Sequence, residues 1–225
     1  MRTKLSIAKM AHEIGLGDPS SRHWFVALEE HGDPSEYEVQ TDSKYLKYNN
    51  ENTNVWNITA KIMVGLVHGE ELNMGWRDFR AAKLFTKGLS NDEGNYLVEL
   101  LPLPLPKHGH WESSYSKLFE EEVDSFDSYR SMVLGPRIQF LRQHWKDHNP
   151  AVTICMGHVR AYEFRWLFDL TETPILEGSD QQFQVYRDKK VILTPFFNPR
   201  TGMGDSQVVE LVRIIRSLKG EEKNA

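Results

Sequence analysis

The sequence predicts a three-layer α/β/α fold whose middle layer is a short, mostly parallel, four-stranded sheet. Three observations predict it. Four short runs are almost wholly apolar, as strands covered on both faces must be. The stretches between them carry apolar residues three and four positions apart, the period of a helix with one buried face. The chain of 225 residues is 40% hydrophobic and 26% charged, enough for one ordinary core and too apolar for a disordered chain. Strand and helix in alternation imply right-handed crossovers with helices on both faces of the sheet. A single domain over residues 1–225 is the expectation.

Residues 1–20 are expected to form an N-terminal helix. Trp24-Phe25-Val26-Ala27-Leu28 reads as the first strand. Helical spacing follows at 55–67 and 76–85. Asn95-Tyr96-Leu97-Val98-Glu99-Leu100-Leu101 is the second strand. Pro102, Pro104 and Pro106 then suggest a polyproline-like path, because alternating prolines lack the N–H groups of a central strand. The next helix is expected to open at Gly135-Pro136, with Pro136 in its first position, and to stop at Asn149-Pro150. The third strand is 151–156, closed by Gly157, and leads into a helix at 159–168. Val191-Ile192-Leu193-Thr194 is the fourth strand, closed by Pro195. The last helix starts at Asp205 or Ser206, either of which suits a cap, and Gly220 ends it. Residues 219–225 read as a frayed polar tail.

Composition narrows the function. The formal net charge is -5, which argues against coating nucleic acid through bulk charge and leaves room only for a local basic groove. Cys155 is the one cysteine, so an internal disulfide, a cysteine-based zinc site and an iron–sulfur centre are not expected. No cofactor and no metal are expected. The sequence shows no signal-peptide pattern, and no run approaches the roughly 18 apolar residues of a membrane helix. A cytoplasmic monomer without membrane contact is the expectation.

In a parallel sheet, ligands sit beyond the carboxyl ends of the strands. The first strand runs into Glu29-Glu30-His31-Gly32-Asp33-Pro34, two carboxylates and a histidine before turn residues. The same stretch also reads as a polar surface loop. The second strand holds Glu99 among apolar neighbours, which is costly unless the carboxylate is paired, protonated or beside a cavity. Beyond it lie Lys107, His108, His110 and Trp111. Two histidines without a carboxylate at set spacing make a weak metal signal and read as surface residues. The third strand ends in Gly157-His158. The fourth runs into Phe196, Phe197, Asn198, Arg200 and Met203, directly ahead of a helix.

Four strand-end motifs in this order resemble the uracil-DNA glycosylase superfamily over roughly residues 20 to 218. The family's first motif reads GQDPY or GEAPG, and here the matching stretch is Leu28-Glu29-Glu30-His31-Gly32. Its base-reading Asn position is taken by Glu99, followed by the Pro-rich stretch many members have. Its third strand resembles Thr153-Ile154-Cys155-Met156-Gly157. Its last motif, commonly HPS, matches Asn198-Pro199-Arg200, with the wedge loop at 201–204. The departures are the first-motif glycine, here Leu28, the base-reading Asn and the last-motif His. They argue against a uracil-specific enzyme.

The resemblance implies a DNA glycosylase that binds DNA in a local groove and flips out one base, as in relatives resembling antiviral enzymes that remove modified bases. Glu30 stands where some branches carry a catalytic Asp, and Glu29 where others carry Glu. Either would orient water and stabilise an oxocarbenium-like sugar, while Asn198 donates to the leaving base. Glu99 and His31 would meet the base. A carboxylate accepts from the amine of a cytosine-type base, or donates if protonated. Phe196, Phe197, Tyr37 or Trp111 would stack on the extruded ring, and Arg200 and Met203 would hold its gap open. Lys107, His108, His110 and Arg200, joined by Arg137 or His158, would form a basic rim. Three rivals stand beside this. One is a nucleoside or phosphoester hydrolase using the same carboxylates. Another is a non-catalytic nucleic-acid-binding module. The third is a structural reading, in which the Pro-rich segment is a protein ligand.

Overall fold

A computed structural model describes residues 4–31, 34, 53–69, 75–90, 92–106, 109–200 and 202–220, with backbone alone for 29–31 and 159. In chain order the elements are α1 (Ile7–Ala11), β1 (Leu16–Gly17), β2 (His23–His31), α2 (Asn54–His68), α3 (Trp76–Ala82), β3 (Asn95–Leu105), α4 (Phe126–His148), β4 (Val152–Met156), α5 (Ala161–Phe168), β5 (Ile175–Glu177), β6 (Phe183–Tyr186), β7 (Val191–Thr194) and α6 (Asp205–Gly220). The seven strands form one mixed sheet in the order β1-β3-β2-β4-β7-β6-β5. Its centre, β3-β2-β4-β7, is parallel throughout, and β1, β6 and β5 add antiparallel flanks.

Two apolar layers sandwich this sheet. Phe25, Ala27, Leu97, Ile154, Met156 and Ile192 pack against α2, α3 and α6. Trp24, Val26, Tyr96, Val98, Cys155 and Leu193 alternate with them and pack against α1, α4 and α5. Strands buried on both faces give the near-continuous apolar runs seen in the sequence. Burying each large side chain of this kind contributes about 1.5–3 kcal/mol. The α/β class and the four parallel strands therefore agree with expectation, and the sheet is larger than the four strands expected.

Several boundaries are corrected. The 1–20 helix is only Ile7–Ala11, after which the chain turns to lay β1 against β3. The approach is close: a Cβ on Gly15 would stand 1.9 Å from the Leu97 carbonyl oxygen, so glycine is required there. β3 does not leave the sheet at Leu101 but runs through Pro102 and Pro104 to Leu105. Pairing with β1 stops at Leu97, and the β2 register slips between Glu29 and His31, so both prolines fall where a missing N–H costs little. α4 opens well before Gly135, at Ser125, whose Oγ accepts from the Ser128 N–H at 3.2 Å. Pro136 is an interior proline on the exposed face, where a carbonyl that loses its helical partner can meet water. Lys219 and Gly220 finish α6 rather than fraying, and 221–225 lie outside the described residues.

Candidate functional site

The parallel register puts the carboxyl ends of β3, β2, β4 and β7 on one edge of the sheet. The chain leaves β2 through α2 and α3 on one face and leaves β4 towards α5 on the other. β2 and β4 are neighbours, so their carboxyl ends flank a topological switch point, the usual ligand crevice of an open α/β sheet.

On one side of the crevice β2 overshoots. It pairs with β4 only as far as Val26↔Cys155, then continues through Glu29 and Glu30 to His31. Those three residues thus lie on the strand itself at the carboxyl edge, while their side chains lie outside the described residues. Glu99 stands on β3 opposite Ala27, and Leu101 opposite Glu29, so the Glu99 backbone sits below the edge reached by Glu29. Glu99 is buried, and its carbonyl accepts from Arg137 Nε at 3.0 Å and Nη2 at 2.9 Å.

On the other side, the segment after β7 is a closed loop. The Asn198 carbonyl accepts from the Met203 N–H at 3.2 Å, and Asn198 Oδ1 accepts from the Arg200 N–H at 2.9 Å. The closure carries Met203 inward. It is fully buried in the layer under α2 and α6, so the wedge assigned to it is corrected: an apolar side chain folds into the core when the loop turns back far enough. Phe197 is corrected too. It is fully buried, edge-on to Phe25 at 6.5 Å, and is core rather than platform. Phe196 points the other way and is 50% exposed.

Between the two sides sits Gly157. Its φ is 99°, a conformation that favours glycine, and its N–H donates to the Thr194 carbonyl at 3.0 Å. Phe196 Cδ2 lies 3.8 Å from where a Gly157 Cβ would stand, so the half-exposed ring rests against the switch point. His158 follows at the start of a short 3₁₀ turn, His158–Arg160. Its Nδ1 is enclosed and has no hydrogen-bond partner among the described residues. An enclosed polar atom without a partner costs about 1–3 kcal/mol. Gln182 Nε2 is a second such atom, and the Gln182 side chain lies beside Gly202 and Pro195, next along the chain from Phe196.

The remaining assignments separate. Arg200 is exposed at the turn of the loop. His110 is exposed and its Nε2 lies 3.2 Å from Glu112 Oε1. Trp111 stacks on Phe119 and Tyr129 in the layer under α4. Arg137 is corrected from rim to core, since it is 1% exposed. Lys107, His108, Asp33, Tyr37 and Thr201 lie outside the described residues. Sequence reasoning named Phe196 and left His158 open. Its signal was position alone, a histidine directly after a strand-closing glycine.

Among the described residues, no three His, Cys, Asp or Glu side chains gather as a metal-holding group, and no helix is long and apolar enough to cross a membrane. The chain matches no family model and no curated protein.

Proposed function

We propose that the chain is a DNA glycosylase-like enzyme that hydrolyses the N-glycosidic bond of an extruded, amino-bearing or modified base and leaves an abasic site. What supports this reading is a single observation: the half-exposed Phe196 ring rests against Gly157 at the switch point, on the edge that Glu29 and Glu30 of β2 reach. In the reaction, water forms the new bond to the anomeric carbon, the carbon–nitrogen bond breaks, and its electron pair leaves with the base, which takes up a proton. Glu30 or Glu29 orients the water and stabilises the cationic sugar, and Asn198 donates to the base as negative charge builds. DNA contact is local, through Arg200 and neighbours, as the net charge of -5 requires.

The test uses duplexes carrying cytosine-type and modified bases, with strand scission at abasic sites as readout. Glu30→Gln or Glu29→Gln is expected to lose about a hundredfold in rate, the loss of one acid–base or charge-stabilising group. Equal rates in both variants and the wild type would remove the carboxylates from the mechanism. A second reading, hydrolysis of free nucleosides on the same edge, is favoured by the burial of Met203, because a free nucleoside needs no wedge. Release of free base from nucleosides, with none from duplexes, selects it.

A further inference from the structure

We propose that Arg160 and Arg130, gathered on the buried carboxylate of Glu163, grip a backbone phosphate of the DNA strand whose base is extruded. The proposal rests on the reading of the carboxyl edge as a nucleobase site. It supplies an anchor for the sugar–phosphate chain on the β4 side, where sequence reasoning named neither arginine.

Position is the first support. The Gly157 carbonyl accepts from the Arg160 N–H at 3.0 Å, so Arg160 ends the single turn by which the chain leaves the switch point. Glu163 lies in the first turn of α5, which follows directly. Arg130, near the start of α4, reaches it from the neighbouring helix. Its Nη2 donates to Glu163 Oε1 at 2.8 Å and to the Tyr162 hydroxyl at 3.3 Å. Arg160 Nη1 stands 3.8 Å from the same carboxylate oxygen. Two guanidinium groups thus converge on one carboxylate at the edge where β4 ends. Arg200 lies on the loop after β7, the strand beside β4, so the exits of both strands carry cations.

Charge is the second support. The Glu163 side chain is 1% exposed, against 28% for Arg130 and 38% for Arg160. A ligand arriving from solvent therefore meets the cations and not the carboxylate. One carboxylate against two guanidiniums leaves a surplus positive charge, in a chain whose formal net charge is -5. A clamp between α4 and α5 needs only the Arg130 pair. At 3.8 Å, Arg160 feels the Glu163 charge without a hydrogen bond to it, so this ion pair does not consume its donors. Holding two like charges together is unfavourable, and a bound anion offsets that repulsion.

The chemistry names the anion. A guanidinium is a planar fork that matches phosphate oxygens two at a time and stays charged at any working pH. Phosphate is the anionic group a strand presents beside every base. Contact with it positions the strand and carries no sequence information, which leaves the choice of base to the rest of the site.

The experiment measures binding of a short fluorescein-labelled DNA duplex by anisotropy at several salt concentrations, beside the melting temperature of each protein. Each phosphate neutralised adds about 0.9 to the slope of log affinity against log salt. Arg160→Gln should weaken binding about tenfold, lower that slope by about 0.9, and melt within about 2 °C of the wild type. Arg160→Lys keeps the charge and should keep the slope. Arg130 is tested with its partner, as Arg130→Met with Glu163→Met, so that no buried charge is left unpaired. That double variant should also lose about 0.9 of slope. Lys146→Gln removes the same charge in the last turn of α4, about 24 Å along the helix from Arg130, and should leave the slope unchanged. A purely structural cluster predicts a lower melting temperature in Arg160→Gln with the slope unchanged, and that result overturns the proposal. An equal loss of slope in Lys146→Gln overturns it too, because it marks diffuse charge rather than a site. The expected losses without base release from the duplex leave the phosphate site standing and overturn the glycosylase reading. Base release with an unchanged slope in Arg160→Gln does the opposite. Binding of cytidine 5′-monophosphate that Arg160→Gln weakens, with no binding of the duplex, assigns the phosphate to a free nucleotide and overturns the strand.

Discussion

Replacing Arg137 with methionine lowers the free energy of unfolding by about 3–5 kcal/mol, the loss typical when one partner of a buried charged network is removed. Arg137 is 1% exposed, and burial pulls its pKa below the usual arginine value. It stays charged because four hydrogen bonds to backbone carbonyls hold its guanidinium. Nε and Nη2 both donate to the Glu99 carbonyl, and Nη1 donates to the carbonyls of Ala11, at 3.4 Å, and Glu13. One side chain on α4 thus ties β3 to the segment between α1 and β1. Methionine fills similar volume and supplies no donor, so the carbonyls of Glu99, Ala11 and Glu13 all lose this bond inside the core. Arg137→Lys should fall between, since a single ammonium cannot span acceptors on two segments as a planar fork does. Urea unfolding of the three proteins decides the matter. At this chain length the methionine variant should also melt about 10 °C lower. A change under about 1 kcal/mol would show that the hydrogen bonds only repay the cost of burying the charge.

Arg137 also shows where the sequence was legible and where it was not. The four parallel strands were readable because burial on both faces leaves an apolar run that local composition reveals, as in Val191–Thr194, whose bounds match. β1 and β5 were not readable. Leu16–Gly17 is held by close backbone approach rather than by pattern, and Ile175 and Leu176 on β5 are about half exposed, at 49% and 50%. Local rules also misjudged prolines, because whether a missing N–H matters depends on which neighbour lies beside it. Pro102 and Pro104 stay in β3 since β1 ends before them, and Pro136 stays in α4 since its face is open to water. The same limit governs the site. Phe196 and Phe197 are indistinguishable in sequence, yet one is half exposed at the switch point and the other is core. Met203 between two glycines looks like an exposed tip until the Asn198–Met203 hydrogen bond turns it under. An arginine at helical spacing looks solvated until three carbonyls are found waiting for it.

Acidification offers the second large effect, and its origin is His23. The ring is fully buried at the start of β2, with Nδ1 3.1 Å from the Gly94 carbonyl and Nε2 3.2 Å from Lys219 Nζ. The neutral tautomer fits both: Nδ1–H donates to the carbonyl, and the Nε2 lone pair accepts from the ammonium. Burial first, and the Lys219 charge second, lower the His23 pKa to about 4, with Arg22 adding to the fall and Asp92 and the Gly94 bond opposing it. The unfolded chain keeps a value near 6.5, so between these two limits the unfolded state holds more protons than the folded one. Stability from this group is therefore complete above pH 6.5 and drains away as pH falls towards 4, a total of about 3 kcal/mol, of which about 2 is gone by pH 5. His144, also lowered to about 4 by burial and by His148, adds a loss of the same sign. Asp18 and Glu93 are lowered carboxylates, whose contributions fail only in more acid solution. Denaturant unfolding between about pH 7.5 and pH 5 isolates the histidine window. His23→Gln should flatten the pH dependence by about 2 kcal/mol across it, and Lys219→Met should flatten it less, because burial outweighs the neighbouring charge. Identical slopes for wild type and His23→Gln would mean that His23 takes its proton in the folded protein without penalty, and that the paired Gly94 and Lys219 contacts do not hold the ring neutral.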